Sequence, residues 1–206
     1  MTETLLETRD LVIRFGGVTA ADHVSLKINR GGNLAIIGPN GAGKTTFLNI
    51  CSGWIKPSEG QVLFEGSDIT RLPPRKIVAR GVARAFQIPQ LFTEHTALEN
   101  LLIAASARDG LRNPLRSMHA IAARDEMMHL LQMVNCADVA NRVVVELSEG
   151  QRKLIDIAVA LALKPRLLLM DEPTSGVASS QKQEIMEILI NALAEANVTS
   201  VFVEHD

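Results

Sequence analysis

The sequence lacks any apolar run approaching the roughly 18 to 20 residues that a membrane-spanning helix needs. Its longest candidates, residues 157–163 and 167–170, stop well short. It also lacks the basic start and long apolar stretch of a secretory signal, since Met1-Thr2-Glu3-Thr4-Leu5-Leu6-Glu7 is acidic. The chain is therefore expected in the cytosol. An excess of one charge is missing too: 21 basic against 23 acidic residues leave a net charge of −2, which gives no field to attract a phosphate polyanion. That speaks against nucleic acid as the main partner. Cysteine is scarce. Cys51 and Cys136 are too few and too far apart for a zinc site or a redox pair, and read as packing residues of a reducing compartment. No internal repeat or low-complexity tract interrupts the chain.

What is present is enough apolar material for a sizeable core: 206 residues, 47% of them hydrophobic, fit one large domain or a core with one inserted subdomain. Short alternating patterns at 11–14, 25–28 and 61–64, bounded by glycine, predict antiparallel strands near the N-terminus. Residues 34–37 differ, being a continuous apolar run that predicts a strand buried on both faces. Pro73 or Pro74 can open a short helix reaching Gly81, because proline at the first helical position loses no hydrogen bond. The basic residues Arg71, Arg75, Lys76, Arg80 and Arg84 around it read as a solvated helix face.

From Thr96 to Leu163 the pattern turns helical. Leu98, Leu101, Leu102 and Ala105 share one face, and Ile121, Met128, Leu131 and Val134 another, with a loop at 110–114. Met127, Met128 and Met133 read as core filling. Strand signal returns at 167–170 and 200–203, around a helix over 181–194. Residues 88–163 thus form a helical subdomain inserted into an α/β core made of 1–87 and 164–206.

Chemistry begins at Gly38-Pro39-Asn40-Gly41-Ala42-Gly43-Lys44-Thr45, with Thr46 following. Its glycines allow backbone N–H groups to converge on phosphate oxygens, Lys44 can reach the terminal phosphates, and the Thr45 hydroxyl can ligate Mg²⁺. The loop leads into a helix N-terminus, whose dipole favours the same anion. Far downstream, an apolar strand ends in Asp171-Glu172. Ligands of parallel sheets bind at the carboxyl ends of strands, so this pair is expected to face the phosphate loop. Asp171 can hold Mg²⁺ and Glu172 can polarise the water that attacks the γ-phosphate. Alone, an Asp-Glu after a strand reads better as an exposed turn. With the loop, it predicts nucleotide hydrolysis.

Leu147-Ser148-Glu149-Gly150-Gln151 precedes another helix, where Ser148 is at minimum an N-cap. This stretch resembles the signature sequence of ABC ATPases. Phe15 in Arg14-Phe15-Gly16-Gly17 resembles the family's adenine-stacking aromatic, Gln87 in Ala85-Phe86-Gln87 its Q-loop glutamine and metal ligand, and His205 in Val203-Glu204-His205-Asp206 its switch histidine. Together with Glu99-Asn100-Leu101-Leu102, these look most like the ATPase subunits of branched-chain amino acid importers. The resemblance covers nearly the whole chain in order. It implies a P-loop core with an N-terminal antiparallel β subdomain and an inserted helical subdomain. It further implies ATP with Mg²⁺, and a head-to-tail dimer in which Ser148, Gly150 and Gln151 of one subunit meet the nucleotide of the other. Transmembrane permease subunits would dock near Gln87 and hold the ATPase on the inner face of the membrane, with the cargo touching other chains only.

Three features depart from the family pattern. Ala178, in Thr174-Ser175-Gly176-Val177-Ala178-Ser179, stands where an Asp or Asn is usual, which removes a contact expected across the dimer. Glu149 occupies a signature position often held by glycine or an aromatic. Relatives continue past the histidine, so a chain stopping at Asp206 is expected to be shortened and to leave strands 167–170 and 200–203 incompletely covered. An ATP-gated regulatory subunit with little hydrolysis is the alternative reading. A ribosome- or DNA-directed ABC ATPase would show fused cassettes, a long coiled coil or a basic surface.

Overall fold

A computed structural model describes residues 3–16, 18–109 and 121–204. Their internal contacts divide them into two units: residues within 1–84, 166–172 and 199–206, and residues within 85–165 and 173–198.

The first unit carries two sheets. Strands β1 (Thr4–Phe15), β2 (Val18–Asn29), β4 (Glu59–Phe64) and β5 (Ser67–Asp68) form an antiparallel sheet in the order β2-β1-β4-β5. Leu6 pairs with both Ile28 and Phe64, so β1 is an inner strand of this sheet, as is β4. The second sheet has the order β3-β8-β7-β6, where β3 is Asn33–Ile37, β6 Val82–Ala85, β7 Leu167–Asp171 and β8 Thr199–Glu204. β8 runs parallel to both β3 and β7, with Leu34 opposite Val201 and Asp171 opposite Val203. Helix α1 (Lys44–Cys51) packs its buried Phe47, Leu48, Ile50 and Cys51 into the core that also holds Leu5, Phe64, Leu167 and Val201. Each such side chain taken fully out of water contributes roughly 1.5 to 3 kcal/mol. The short α2 (Pro74–Val78) begins at its proline, as expected, and buries Ile77.

The second unit is helical. α3 (Ala97–Asp109) starts at a reciprocal cap: the Glu99 N–H donates to Thr96 Oγ1 at 3.2 Å and the Thr96 N–H to Glu99 Oε2 at 2.8 Å. That arrangement satisfies donors which a helix start leaves open. α4 (Ile121–Met133), α5 (Glu149–Ala162) and α6 (Ser179–Glu195) complete the unit. Its interior is filled by Leu98, Leu101 and Leu102 of α3, Met127 and Leu131 of α4, Ile155 and Ala158 of α5, and Leu189 of α6. No described helix is long and apolar enough to cross a membrane.

Four expectations are corrected. β3 is not buried on both faces: it has β8 as its one neighbour in the sheet, and Ile37 is 64% exposed. β7 and β8, expected to be open, have residues buried almost throughout, and each has a strand on both sides to pair its backbone. Met127 rather than Met128 faces the α4 core. Arg84 is no part of a solvated helix face: it lies on β6 with its side chain 6% exposed. The loop expected at 110–114 lies outside the described residues.

Candidate nucleotide site

The strand–loop–helix order required of a phosphate cradle is met by β3, the loop 38–43 and α1. Gly41 and Gly43 have φ of 81° and 83°, a region open to glycine and strained for other residues. Gly43 has a second reason to be glycine, since a Cβ there would come within 2.1 Å of the Ala20 carbonyl oxygen. The Ala42 N–H closes a turn onto the Pro39 carbonyl at 3.2 Å, while Pro39, Asn40, Gly41 and Ala42 stand exposed. No acidic residue occupies the first turn of α1, leaving its positive end open to an anion. Lys44 folds over the loop, its Nζ donating to the carbonyls of Gly38 (2.5 Å) and Pro39 (2.9 Å). Thr46 sits half-buried behind Thr45.

β7 delivers the acidic pair to the same end of the sheet. Thr45 Oγ1 donates to Asp171 Oδ1 at 3.1 Å, across 126 residues of sequence. The other oxygen, Oδ2, accepts from Arg84 at 3.0 Å. That guanidinium also donates to Asn49 Oδ1 and to Ser52 Oγ at the end of α1. Burial draws the Arg84 pKa down from the ordinary arginine range, opposed by the neighbouring Asp171 charge. Glu172 is buried and holds φ at 49°, fixed by its N–H donating to Val203 O at 2.9 Å. Non-glycine residues seldom adopt that backbone, and such strain clusters at functional positions. Phe15 closes β1 with about half its surface open, at 49%. Two hard oxygen donors at Thr45 and Asp171 suit Mg²⁺, which takes few protein ligands and completes its shell with phosphate oxygens and water. Among the described residues no group of three or more His, Cys, Asp or Glu could hold a metal by itself.

In the helical unit, Ser148 caps α5 through a reciprocal box. Its Oγ accepts the Gln151 N–H at 3.3 Å, and Gln151 Oε1 accepts the Ser148 N–H at 3.1 Å. Gln151, expected at the nucleotide, here spends its side chain on the helix start. Gly150 packs against Ile185 of α6, where a Cβ would lie 3.2 Å from Cδ1. Glu149 is exposed, and Ala178 opens α6 without a side-chain cap. The Gln87 side chain is exposed while its carbonyl accepts from Lys153 Nζ at 3.0 Å. One helical turn on, Asp156 Oδ1 accepts the Gln90 N–H at 3.1 Å, and the Phe86 N–H also bonds this carboxylate. Burial pushes the Asp156 carboxyl up to about 6. His205 lies outside the described residues.

The sequence reading missed Arg84, Lys153 and Asp156. A signal was present for two of them: Arg84 interrupts the small apolar strand Val82-Ala83-Arg84-Ala85, and Asp156 interrupts Leu154-Ile155-Asp156-Ile157-Ala158. A lone charge inside an apolar run points to a buried, partnered group.

The glycine loop before α1 and the Thr45–Asp171 contact define a P-loop nucleotide-binding core. Comparison with known proteins narrows this. The sequence profile of the ABC transporter family matches residues 21–175. The high-affinity branched-chain amino acid transport ATP-binding protein BraF of Pseudomonas aeruginosa is 36% identical, over 100% of this chain and 84% of its own length. A probable branched-chain amino acid transport ATP-binding protein, LivG of Methanocaldococcus jannaschii, is 37% identical over 99% and 81%. A solved ATP-binding cassette of an ABC transporter in its ADP conformation has a TM-score of 0.83 at 34% identity, covering 99% of this chain and 82% of that one. A dimeric cassette in a post-hydrolysis state, bound to ADP and Pi, has a TM-score of 0.82 at 29% identity, covering 98% and 88%. The chain belongs to the ABC transporter family, as an ATP-binding cassette ATPase.

Proposed function

We propose that this chain is the ATPase subunit of an importer for branched-chain amino acids or related small polar solutes. The observation that carries the reading is the Thr45–Asp171 contact beside a strained, buried Glu172, in a chain similar to BraF and LivG over its whole length. In this reading the ATP phosphates replace the Gly38 and Pro39 carbonyls as partners of Lys44, and backbone N–H groups of residues 40–46 cradle them. Phe15 offers its exposed ring to adenine. Mg²⁺, held by Thr45, Asp171 and Gln87, would offset the charge on the β- and γ-phosphates. Glu172 orients and polarises the attacking water, with Gln87 and His205 completing the set.

The same reading makes the working unit a dimer, as in the post-hydrolysis cassette, with Ser148, Gly150 and Gln151 meeting the partner's nucleotide. Gln151 would share its side chain between that contact and the cap of α5. Residues 88–163 act as the helical subdomain and 1–87 with 164–206 as the nucleotide core. Permease subunits hold the chain at the inner face of the membrane. Exposed Ile88, Phe92 and Val145 in the helical unit offer apolar surface for that docking.

Phosphate release from wild type and Glu172→Gln, with permease subunits present, tests the proposal. General-base catalysis contributes about 10²- to 10⁴-fold, so the variant should lose that much turnover while still binding ATP and accumulating as an ATP-bound dimer in light scattering. Equal turnover in both proteins would remove Glu172 from the mechanism, and wild-type turnover near background would favour the regulatory alternative. Stimulation of wild type by leucine with its binding partner, and none by a sugar, tests the solute class.

A further inference from the structure

Within β6, Val82, Ala83 and Ala85 are buried apolar residues, and Arg84 between them is the strand's one charged residue. A guanidinium enters an interior only with hydrogen bonds and a counter-charge. Asp171 supplies the charge at 3.0 Å, and Asn49 and Ser52 accept from the second nitrogen. The adjacent Cys51 cannot share that task, because burial pushes its thiol up to about 12 and keeps it neutral. Asp171 is thus divided between two neighbours. Oδ1 faces the hydroxyl of Thr45 and Oδ2 faces Arg84.

A divalent ion placed at Thr45 and Asp171 would meet a fixed positive charge on the far side of the same carboxylate. One carboxylate already neutralised by arginine leaves little attraction for free metal. Nucleotide phosphates restore it by bringing several negative charges. We propose that Arg84 is the resident counter-cation of Asp171. It keeps the carboxylate compensated and aimed at Thr45 while nucleotide is absent, and makes capture of Mg²⁺ depend on phosphates arriving with it. Arg84 is then a positioning residue, acting through Asp171. The inference rests on Thr45 and Asp171 being the metal site.

The test is a MgCl₂ titration at constant ionic strength and pH 8, read by thermal unfolding and by calorimetry, on the whole chain. Wild type should show no saturable response to Mg²⁺ alone and a clear one with ADP or ATP. In Arg84→Met, Mg²⁺ alone should stabilise the protein saturably, at concentrations at least about tenfold below any effect on wild type. Arg84→Lys keeps the charge and should respond like wild type, although it melts earlier for loss of the Asn49 and Ser52 bonds. If the methionine variant does not fold, Arg84→Gln removes the charge while keeping a hydrogen-bond donor, and should show the same gain. Superimposable Mg²⁺ curves for wild type and the neutral variants would overturn the proposal, as would a wild type that already binds free Mg²⁺ tightly. Asp171→Asn separates the two levels. Unaltered Mg²⁺ dependence of its nucleotide binding would sink the metal site itself, whereas loss there with no gain in the Arg84 variants sinks the counter-cation alone.

Discussion

Two carboxylates are buried to a similar depth, Asp171 at 3% exposure in the core unit and Asp156 at 7% in the helical unit, and they are held by different means. Asp171 has a full counter-charge in Arg84 and a hydroxyl in Thr45. Asp156 has backbone N–H groups from residues 86 and 90, while the nearby Lys153 directs its ammonium at the Gln87 carbonyl. Burial pushes the Asp156 carboxyl up to about 6, and the two backbone N–H groups only partly oppose that rise. Charge in this interior is therefore of two kinds: a fixed pair at the phosphate end of the sheet, and a protonatable tie between α5 and the Gln87 loop.

The largest expected effect comes from breaking the fixed pair. Arg84→Met leaves Asp171 as an uncompensated buried charge, which should lower the unfolding free energy by about 3 to 5 kcal/mol. Urea unfolding measures it. The double variant Arg84→Met/Asp171→Asn removes both charges and should recover much of that loss. A single-variant loss below about 1 kcal/mol would mean that this pair is worth no more than a surface salt bridge.

Asp156 should make stability depend on pH. Its folded pKa, about 6, is raised above the ordinary aspartate value of 3.8, so its stabilising contribution is complete below about pH 4 and is lost as pH rises through 6. From the two pKa values the whole effect is roughly 3 kcal/mol, of which about 1 falls between pH 5 and 7.5. Urea midpoints should accordingly be higher at pH 5 than at pH 7.5, and Asp156→Asn should flatten that slope. Glu3, Glu7, Asp68 and Glu126 have lowered pKa values; their contributions are present above the ordinary carboxylate range and are lost only at more acid pH. A wild-type slope unchanged in Asp156→Asn would place the titration elsewhere.

The smallest effect concerns backbone N–H groups held at the surface. Ser148→Ala deletes the acceptor for the Gln151 N–H and should cost about 1 kcal/mol, read as a lower thermal midpoint. Its effect on ATP-dependent dimerisation is a separate readout. Loss of the dimer with an unchanged midpoint would make Ser148 a contact across the interface and no real cap.

Local pattern alone determined the parts whose geometry is local. The phosphate loop was legible because Gly41 and Gly43 must take left-handed backbone and α1 follows at once. The cap at Ser148 and the proline start of α2 are likewise one-turn arrangements written within four residues. Apolar pattern found most of the helices and parts of most strands, since their repeats face a core, but not the four-residue β6. Burial was another matter. Residues 34–37 read as doubly covered, yet Ile37 is 64% exposed, because what packs on a strand's faces comes from distant parts of the chain. Arg84 followed a run of exposed basic residues in sequence and turned inward in the fold. Its fate is set by Asp171, 87 residues away, and by Asn49 and Ser52 on α1. Asp156 and Lys153 grip a loop 66 residues upstream. The sequence by itself determined which groups can bind phosphate. Tertiary structure alone decided which charges stand opposite one another, because pairing across such separations is a property of strand order and helix packing, which no local window contains.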